Sequence, residues 1–122
     1  MTNLQEVSSI ASRTVWNGVD ARIVSGRSVD MAIVELEPGA VVPEHRHMNE
    51  QLGTVIEGSM TFRVADEEAT FGPGGTWRIP SDTPHEARAG ANGAVVVEVF
   101  SPPRGDWAEV PPNEPTHPRW PA

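Results

Sequence analysis

The sequence predicts an all-β fold, built as a sandwich or a small barrel of many short strands. Apolar and polar residues alternate with a period of two over much of the chain, as expected when neighbouring strand side chains point to opposite faces. Glycine and proline interrupt this alternation roughly every eight to twelve residues, the spacing of turns in such folds. No amphipathic helical pattern of useful length is present. Short strands with regular turns are typical of sandwiches and barrels.

The predicted strands follow one another along most of the chain. They cover residues 13–16, 21–24, 29–36, 51–57, 59–64, 69–71, 76–79, 84–89 and 94–100. The third strand ends at the turn formed by Pro38 and Gly39, and Gly58 joins the fourth strand to the fifth. On the seventh strand, Trp77 and Ile79 share one face because side chains two positions apart point the same way.

The last predicted strand carries a glutamate between apolar neighbours. Val96, Glu98 and Phe100 share one face of this strand, and valines occupy the other. If the face with Glu98 points into a cavity, burial raises the pKa of its carboxyl toward a value useful for proton transfer. If that face points to solvent, Glu98 has no role, and the pattern leaves both alternatives open.

The length of 122 residues predicts a single domain that spans residues 1–122 and buries its own core. Its barrel core is expected at about residues 13–101, and a proline-rich tail at 102–122. The stretch from Ser101 to Ala122 holds seven of the twelve prolines and cannot form a central strand. Trp107 and Trp120 are expected to anchor this tail, either on its own domain or on a second subunit.

Composition excludes several partners and chemistries. The net charge is −8, and the nine basic residues are scattered arginines, which argues against nucleic-acid binding. Without cysteine the chain has no disulfide, thiolate ligand or cysteine nucleophile. We expect a cytoplasmic protein with no membrane partner, because the sequence shows neither a signal-peptide pattern at its N-terminus nor an apolar run long enough to span a bilayer.

Three of the four histidines fall in one pattern with a glutamine, which predicts a metal site. The strand period places His45 and His47 on the same face, and Gln51 follows after a short polar break. His85 arrives from a second strand. Three imidazoles and one amide oxygen suit one divalent transition-metal ion, such as zinc, nickel, iron, manganese or cobalt. The fourth histidine, His117, lies in the tail and is expected at the surface.

Glu50 is the alternative fourth ligand, because a carboxylate is a better metal donor than an amide. Strand alternation turns Glu50 and its neighbour Gln51 to opposite faces, so only one of them can join the histidines. With Gln51 as the ligand, the protein ligands carry no charge. A dication then keeps its full charge for substrate oxygens, which favours Lewis-acid chemistry over oxygen chemistry.

Two stretches resemble the motifs of the cupin family. Residues 39–58 resemble G-x5-H-x-H-x3-E-x6-G, with Gln51 at the position where glutamate is commoner. Residues 72–85 resemble the second motif, which ends at His85, although the asparagine that often follows this histidine is missing. The resemblance implies a double-stranded β-helix barrel of the antiparallel jelly-roll type. The motif spacing also favours Gln51 over Glu50 as a ligand.

The segment from Glu98 to Trp107, together with the H-x-H-x3-Q ligand set, is similar to the small cupins of the KdgF family. That family opens and ketonises 4,5-unsaturated monouronates left by pectin and alginate lyases. The resemblance implies that the metal ligands are His45, His47, Gln51 and His85. It further implies that Glu98 is the acid/base, Phe100 a pocket wall and Arg104 a clamp for the sugar carboxylate. The family's acid is typically aspartate, so Glu98 is one methylene longer.

The predicted function is therefore a metal-dependent isomerase or lyase that acts on a small oxygenated acid. Trp77 is predicted as a further substrate contact beside Phe100 and Arg104. Two alternatives remain open: another metal-dependent cupin enzyme, such as a dioxygenase, lyase or natural-product cyclase, and a non-catalytic cupin that binds or senses a small ligand. A homodimer is expected, because cupins of this size are often dimers.

Overall fold

The structure is a computed structural model that describes residues 2–121. Its elements in chain order are a 3₁₀ helix at Val7–Ser9, β1 Arg13–Trp16, β2 Val19–Ser25, β3 Asp30–Leu36, β4 Val41–His45, β5 Glu50–Val64, β6 Glu67–Phe71, β7 Thr76–Ile79, β8 His85–Ser101 and the short helix α1 Gly105–Ala108. All strand pairs are antiparallel. The predicted all-β class is confirmed, and the strands form a cupin barrel.

The two longest strands, β5 and β8, pair with each other along their whole length and belong to both walls of the barrel. Strands β3 and β4 flank β8, while β6 and β7 flank β5. On the far side of β3, the sheet continues through β2 to β1. The walls close around an apolar interior that includes Val34, Leu36, Met60, Phe62 and Val96.

The prediction of two strands in place of β5, and again in place of β8, was wrong in number. Each pair is one strand that bends where the break was predicted. The pairing of β5 with β8 shifts register around Gly58, whose φ is +78°. A Cβ at Gly58 would lie 2.1 Å from the carbonyl oxygen of Gly93, so only glycine allows the backbones this close. The predicted break coincides with this irregularity, where the pairing passes from Gly58 and Ala94 directly to Met60 and Ala89.

Strand β4 was not delimited by the sequence, because its side chains are exposed or half-buried and lack a clear alternation. It ends at His45, so the prediction that His45 and His47 share a face of one strand was wrong. His47 lies beyond the strand end, where the chain turns toward β5. The turn, and not the strand period, brings its ring beside that of His45.

The tail packs on its own domain in the part of the chain that the structure describes. Arg22 is 2% exposed, pairs with Glu35 at 2.9 Å, and donates to the backbone oxygen of Thr116 at 3.1 Å. Arg119 donates to two backbone carbonyls of the sheet, and Trp107 on α1 is buried against the core. None of the helices in residues 2–121 is long and apolar enough to cross a membrane.

Candidate metal centre

The three motif histidines lie together at one end of the barrel, with ligand atoms within 4.8 Å of one another. Each ring donates its Nδ1–H to a backbone carbonyl two residues away in the sequence. The partners are Pro43 for His45 at 2.8 Å, Asn49 for His47 at 3.0 Å and Thr83 for His85 at 2.8 Å. Because a carbonyl oxygen only accepts, Nδ1 carries the proton and Nε2 keeps its lone pair for a metal.

These Nε2 lone pairs fit a bound cation. His85 Nε2 is buried and has no hydrogen-bond partner among the described residues. His47 Nε2 lies 3.1 Å from Gln51 Oε1, so two acceptor atoms face each other with no proton between them. The amide orientation is set by Gln51 Nε2, which donates to Glu98 Oε1 at 2.7 Å. A divalent ion bound by the histidine nitrogens and the Gln51 oxygen would give all three of these acceptor atoms a partner.

Burial favours the neutral form of His85 and His47. It lowers the pKa of His85 to about 4. Burial also lowers the pKa of His47, and the nearby positive charge of Arg104 lowers it further. Neutral imidazoles are the form that binds metal ions, so His85 and His47 are in the metal-binding form at neutral pH.

Gln51 and Glu50 point in opposite directions, as strand alternation requires. Gln51 is 5% exposed and contacts His47, whereas Glu50 is exposed at the start of β5. In the described residues the cluster of possible metal ligands consists of His45, His47 and His85, and Glu50 does not join it. The geometry therefore favours Gln51 as the fourth ligand. His117 is exposed in the tail, as expected.

Glu98 faces the interior cavity and not the solvent. It is 7% exposed and lines the same cavity as His45, His85 and Gln51. Its Oε1 accepts hydrogen bonds from Gln51 Nε2 and from Trp77 Nε1, the latter at 3.2 Å. Its Oε2 accepts no hydrogen bond from residues 2–121. Burial raises the pKa of Glu98 to about 7, although both hydrogen bonds oppose the shift.

Trp77 lies behind Glu98 and does not line the cavity, so its direct contact with a substrate stays a prediction. Its ring stacks on Phe62, with centroids 4.2 Å apart, and its indole N–H points at Glu98. Gly53 on β5 pairs with Trp77 on one side and with Glu98 on the other. A Cβ at Gly53 would come within 2.4 Å of the indole ring. Glycine there leaves the space that the indole occupies.

Arg104 lines the cavity, but one edge of its guanidinium is already paired. Nε and Nη2 donate to the two carboxylate oxygens of Asp106 at 2.9 and 2.8 Å. The guanidinium carbon lies 5.0 Å from the Phe100 ring centroid and 4.4 Å from that of Trp107. The predicted two-bond clamp on a ligand carboxylate therefore cannot use that edge. The other edge, formed by Nη1 and Nη2, carries the remaining donors.

Several residues of the site carried no signal in the sequence. Trp16, at the end of β1, lines the cavity with its ring centroid 5.1 Å from that of His45. Asp30 is 3% exposed and accepts the backbone N–H of Arg104 at 2.8 Å, whereas its Oδ1 has no partner among residues 2–121. Asn49 is 6% exposed and binds the segment before Arg104. Each acts through contacts between distant parts of the chain, which no local pattern encodes.

The cavity is open at the metal end and apolar at its inner end. Phe100 forms part of its wall, as predicted, and Val34, Leu36 and Met60 line the depth of the barrel. Its empty space, including the open mouth, is about 440 Å³. Histidines, Glu98 and Arg104 thus meet around one opening, where a ligand can contact the metal ligands, a buried carboxyl and a guanidinium together.

Residues 32–100 match the family model of the cupin domain. The chain belongs to the cupin family. No curated protein sequence matches it at a significant level. Among solved structures, KdgF from Halomonas sp. is similar, with 25% identity and a TM-score of 0.79, covering 87% of this chain and 98% of that one.

Two other structural relatives widen the comparison. An RmlC-like cupin from Shewanella frigidimarina shares 19% identity over 87% of this chain and 96% of that one, with a TM-score of 0.80, and supports the fold alone. Oxalate decarboxylase from Bacillus subtilis shares 26% identity with a TM-score of 0.73. That match covers 89% of this chain but 31% of the decarboxylase. The cupin fold and the histidine cluster together support a metal-dependent cupin.

Proposed function

We propose that this cupin opens and ketonises 4,5-unsaturated monouronates. The observation that carries the proposal is the meeting of three features in one cavity: the histidine cluster, the buried carboxyl of Glu98 and the guanidinium of Arg104. The similarity to the KdgF structure from Halomonas sp., over 98% of that chain, supports it. A divalent ion held by His45, His47, Gln51 and His85 would supply Lewis-acid polarisation of substrate oxygens.

Glu98 is the proton carrier in this proposal. Its Oε1 is held by two donors, so Oε2 is the oxygen that can exchange a proton with a ligand. In ring opening the bond between C1 and the ring oxygen breaks, the C1 hydroxyl gives up its proton to become the aldehyde, and the ring oxygen takes up a proton to become the enol. Moving this proton from the enol oxygen on C5 to C4, the other carbon of the double bond, gives the ketone. The reaction is an isomerisation, and one carboxyl that alternately accepts and donates a proton suffices for it.

Arg104 and Phe100 position the substrate. The free edge of the guanidinium can donate two parallel hydrogen bonds to the sugar carboxylate, while Asp106 holds the other edge. Stacking on Phe100 and Trp107 restricts how the guanidinium can turn. The ligand carboxylate is thereby placed on the side of the cavity that also carries Glu98.

The test is a time course with purified protein and unsaturated galacturonate or mannuronate from a lyase digest. The ultraviolet absorbance of the conjugated alkene is followed for metal-loaded and metal-stripped protein. We expect metal-dependent loss of absorbance, and the metal-stripped protein should match the slow spontaneous rate. Absence of acceleration with either sugar would refute the proposal for these substrates.

A second candidate is another metal-dependent reaction on a small acid that has an apolar body. The observation that favours it is the inner cavity wall, where Val34, Leu36 and Met60 offer no partner for sugar hydroxyls. Oxygen uptake by the ferrous protein would identify a dioxygenase. Ligand binding without turnover, together with indifference to Glu98→Gln, would identify a binding or sensor module.

We also propose that the protein forms a homodimer through the outer face of its sheet. Val24, Met31, Val99 and Leu52 are cross-strand neighbours in this order and form an apolar row over β2, β3, β8 and β5. Leu52 is 42% exposed and pairs with Arg78, while Glu50 lies two residues away on the same strand. A two-fold axis can bring these opposite charges together across the row. Light scattering should show a dimer that Leu52→Asp converts to a monomer.

A further inference from the structure

Asn49 is a buried residue that contacts both sides of the cavity, the side with His47 and the side with Arg104. Its backbone oxygen accepts the Nδ1–H of His47 at 3.0 Å, which orients one metal ligand. Its side-chain Nδ2 donates to the backbone oxygens of Pro102 at 2.6 Å and Pro103 at 3.3 Å. The next residue is Arg104. One side chain thus connects the turn that carries His47 to the segment that carries the guanidinium.

The chemistry of the segment explains why an amide is needed there. Pro102 and Pro103 have no backbone N–H, so this stretch cannot enter a strand ladder through its own donors. Their two carbonyl oxygens need donors from elsewhere, and the side-chain amide of asparagine carries two N–H groups on one nitrogen. Asn49 is only 6% exposed, so water cannot readily replace these bonds.

Asp30 completes the support of Arg104 from the other side. It lies on β3 opposite Phe100, and its Oδ2 accepts the backbone N–H of Arg104 at 2.8 Å. The side chain of Arg104 then stacks over Phe100 and Trp107. Asp30 therefore holds the backbone at residue 104, and Asn49 determines where the two preceding residues run relative to His47.

We propose that Asn49 is a positioning residue that sets the placement of Arg104 relative to the metal ligand His47. The assignment of Arg104 as the anion-binding group rests on the proposed function. The positioning role itself concerns two side chains of this protein, so it can be measured without any substrate. Every substitution at position 49 keeps the backbone carbonyl that orients His47. Loss of the side chain should therefore affect Arg104 far more than the metal.

The experiment compares Asn49→Ala and Asn49→Ser with the wild type, all zinc-loaded and ¹⁵N-labelled. Hydrogen exchange at the Arg104 Nε–H, assigned through Arg104→Lys, reports how firmly the guanidinium is held. We expect this exchange to quicken about tenfold in Asn49→Ala, as the loss of about 1.4 kcal/mol of local stability implies. The zinc dissociation constant, from chelator competition, should stay within about threefold.

The matched control is Asn113→Ala, because the Asn113 amide also binds across the fold, to Ser12 and Thr14, but does not line the cavity. It should lower the melting temperature without changing Arg104 exchange. Asn49→Ser replaces Asn49→Ala if the latter does not fold. If exchange at Arg104 stays at the wild-type rate, or if Asn113→Ala quickens it equally, the positioning role is refuted. If wild-type protein leaves uronates unchanged while Asn49→Ala loosens Arg104, the proposed function fails and the positioning role stands.

Discussion

The two sides of the cavity are supported in different ways. On the metal side, each histidine ring is held by a backbone carbonyl two residues away, so its orientation is a property of a short stretch of chain. On the opposite side, Glu98 and Arg104 depend on residues far away in the sequence, such as Trp77 and Asp30. The orientation of each histidine ring is therefore set locally, whereas Glu98, Arg104 and the amide of Gln51, which donates to Glu98, need the barrel to be closed.

The metal side should fail most completely when one ligand is removed. We expect His85→Ala to weaken zinc or cobalt binding by more than about 100-fold, because losing a residue that only orients a ligand already costs about 10- to 100-fold. Chelator competition measures the affinity, and His117→Ala is the matched control because His117 is exposed in the tail. Wild-type affinity in His85→Ala would show that His85 is not a ligand.

The acid side should lose activity while the metal stays bound. Glu98→Gln keeps the size of the side chain but cannot carry a proton, so turnover of the unsaturated uronate should fall by about 10²- to 10⁴-fold. Metal affinity should change little, because Gln51 remains in place. Glu114→Gln is the control, since Glu114 is exposed in the tail. Near-normal turnover by Glu98→Gln would remove Glu98 from the mechanism.

The same contrast explains how much the sequence could predict. Motif spacing predicts His45, His47, Gln51 and His85 as one group, and the structure brings the three histidines together although His47 lies beyond the strand. Glu98 was placed on a shared face with Phe100, but only the closed barrel shows that this face is the inner one. Alternation specifies which residues share a face and leaves open which face is covered.

The supporting residues could not be predicted, because each acts across strands that meet only in the fold. The Trp77 side chain passes over Gly53 to contact Glu98. These residues lie on three neighbouring strands, β7, β5 and β8, although they are far apart in the sequence. Asp106 lies two residues after Arg104 and accepts hydrogen bonds from one edge of its guanidinium. Whether such a pair forms depends on how α1 packs. A single sequence therefore does not distinguish Gly53 or Asp106 from any other glycine or aspartate.

Filling the space at Gly53 disturbs the acid side, and we expect a moderate loss of unfolding free energy. A Cβ in Gly53→Ala would come within 2.4 Å of the Trp77 ring, so the ring must shift and weaken its hydrogen bond to Glu98. Overpacking of this kind costs about 1–3 kcal/mol of unfolding free energy. Denaturant unfolding measures it, with Gly105→Ala as control because nothing lies within 4 Å of a Cβ there. Equal stability of both variants would contradict the tight fit.

The smallest expected effect concerns Asp106, which supports Arg104 from a position whose side chain is 65% exposed. Hydrogen bonds from Arg104 lower the pKa of Asp106, so the ionised carboxylate is the form that the fold favours. The stabilisation is present above the pKa of the unfolded chain and is lost as pH falls through the lowered pKa of the folded state. Solvent screening limits this stabilisation to less than about 1 kcal/mol.

The unfolding free energies of wild type and Asp106→Asn should therefore differ most at neutral pH and converge in acid. A difference that grows as pH falls would mean that Asp106 is not held by Arg104 in its ionised form. The metal side should show no such dependence on Asp106, since its orienting carbonyls do not titrate, and zinc affinity at neutral pH should be unchanged in Asp106→Asn.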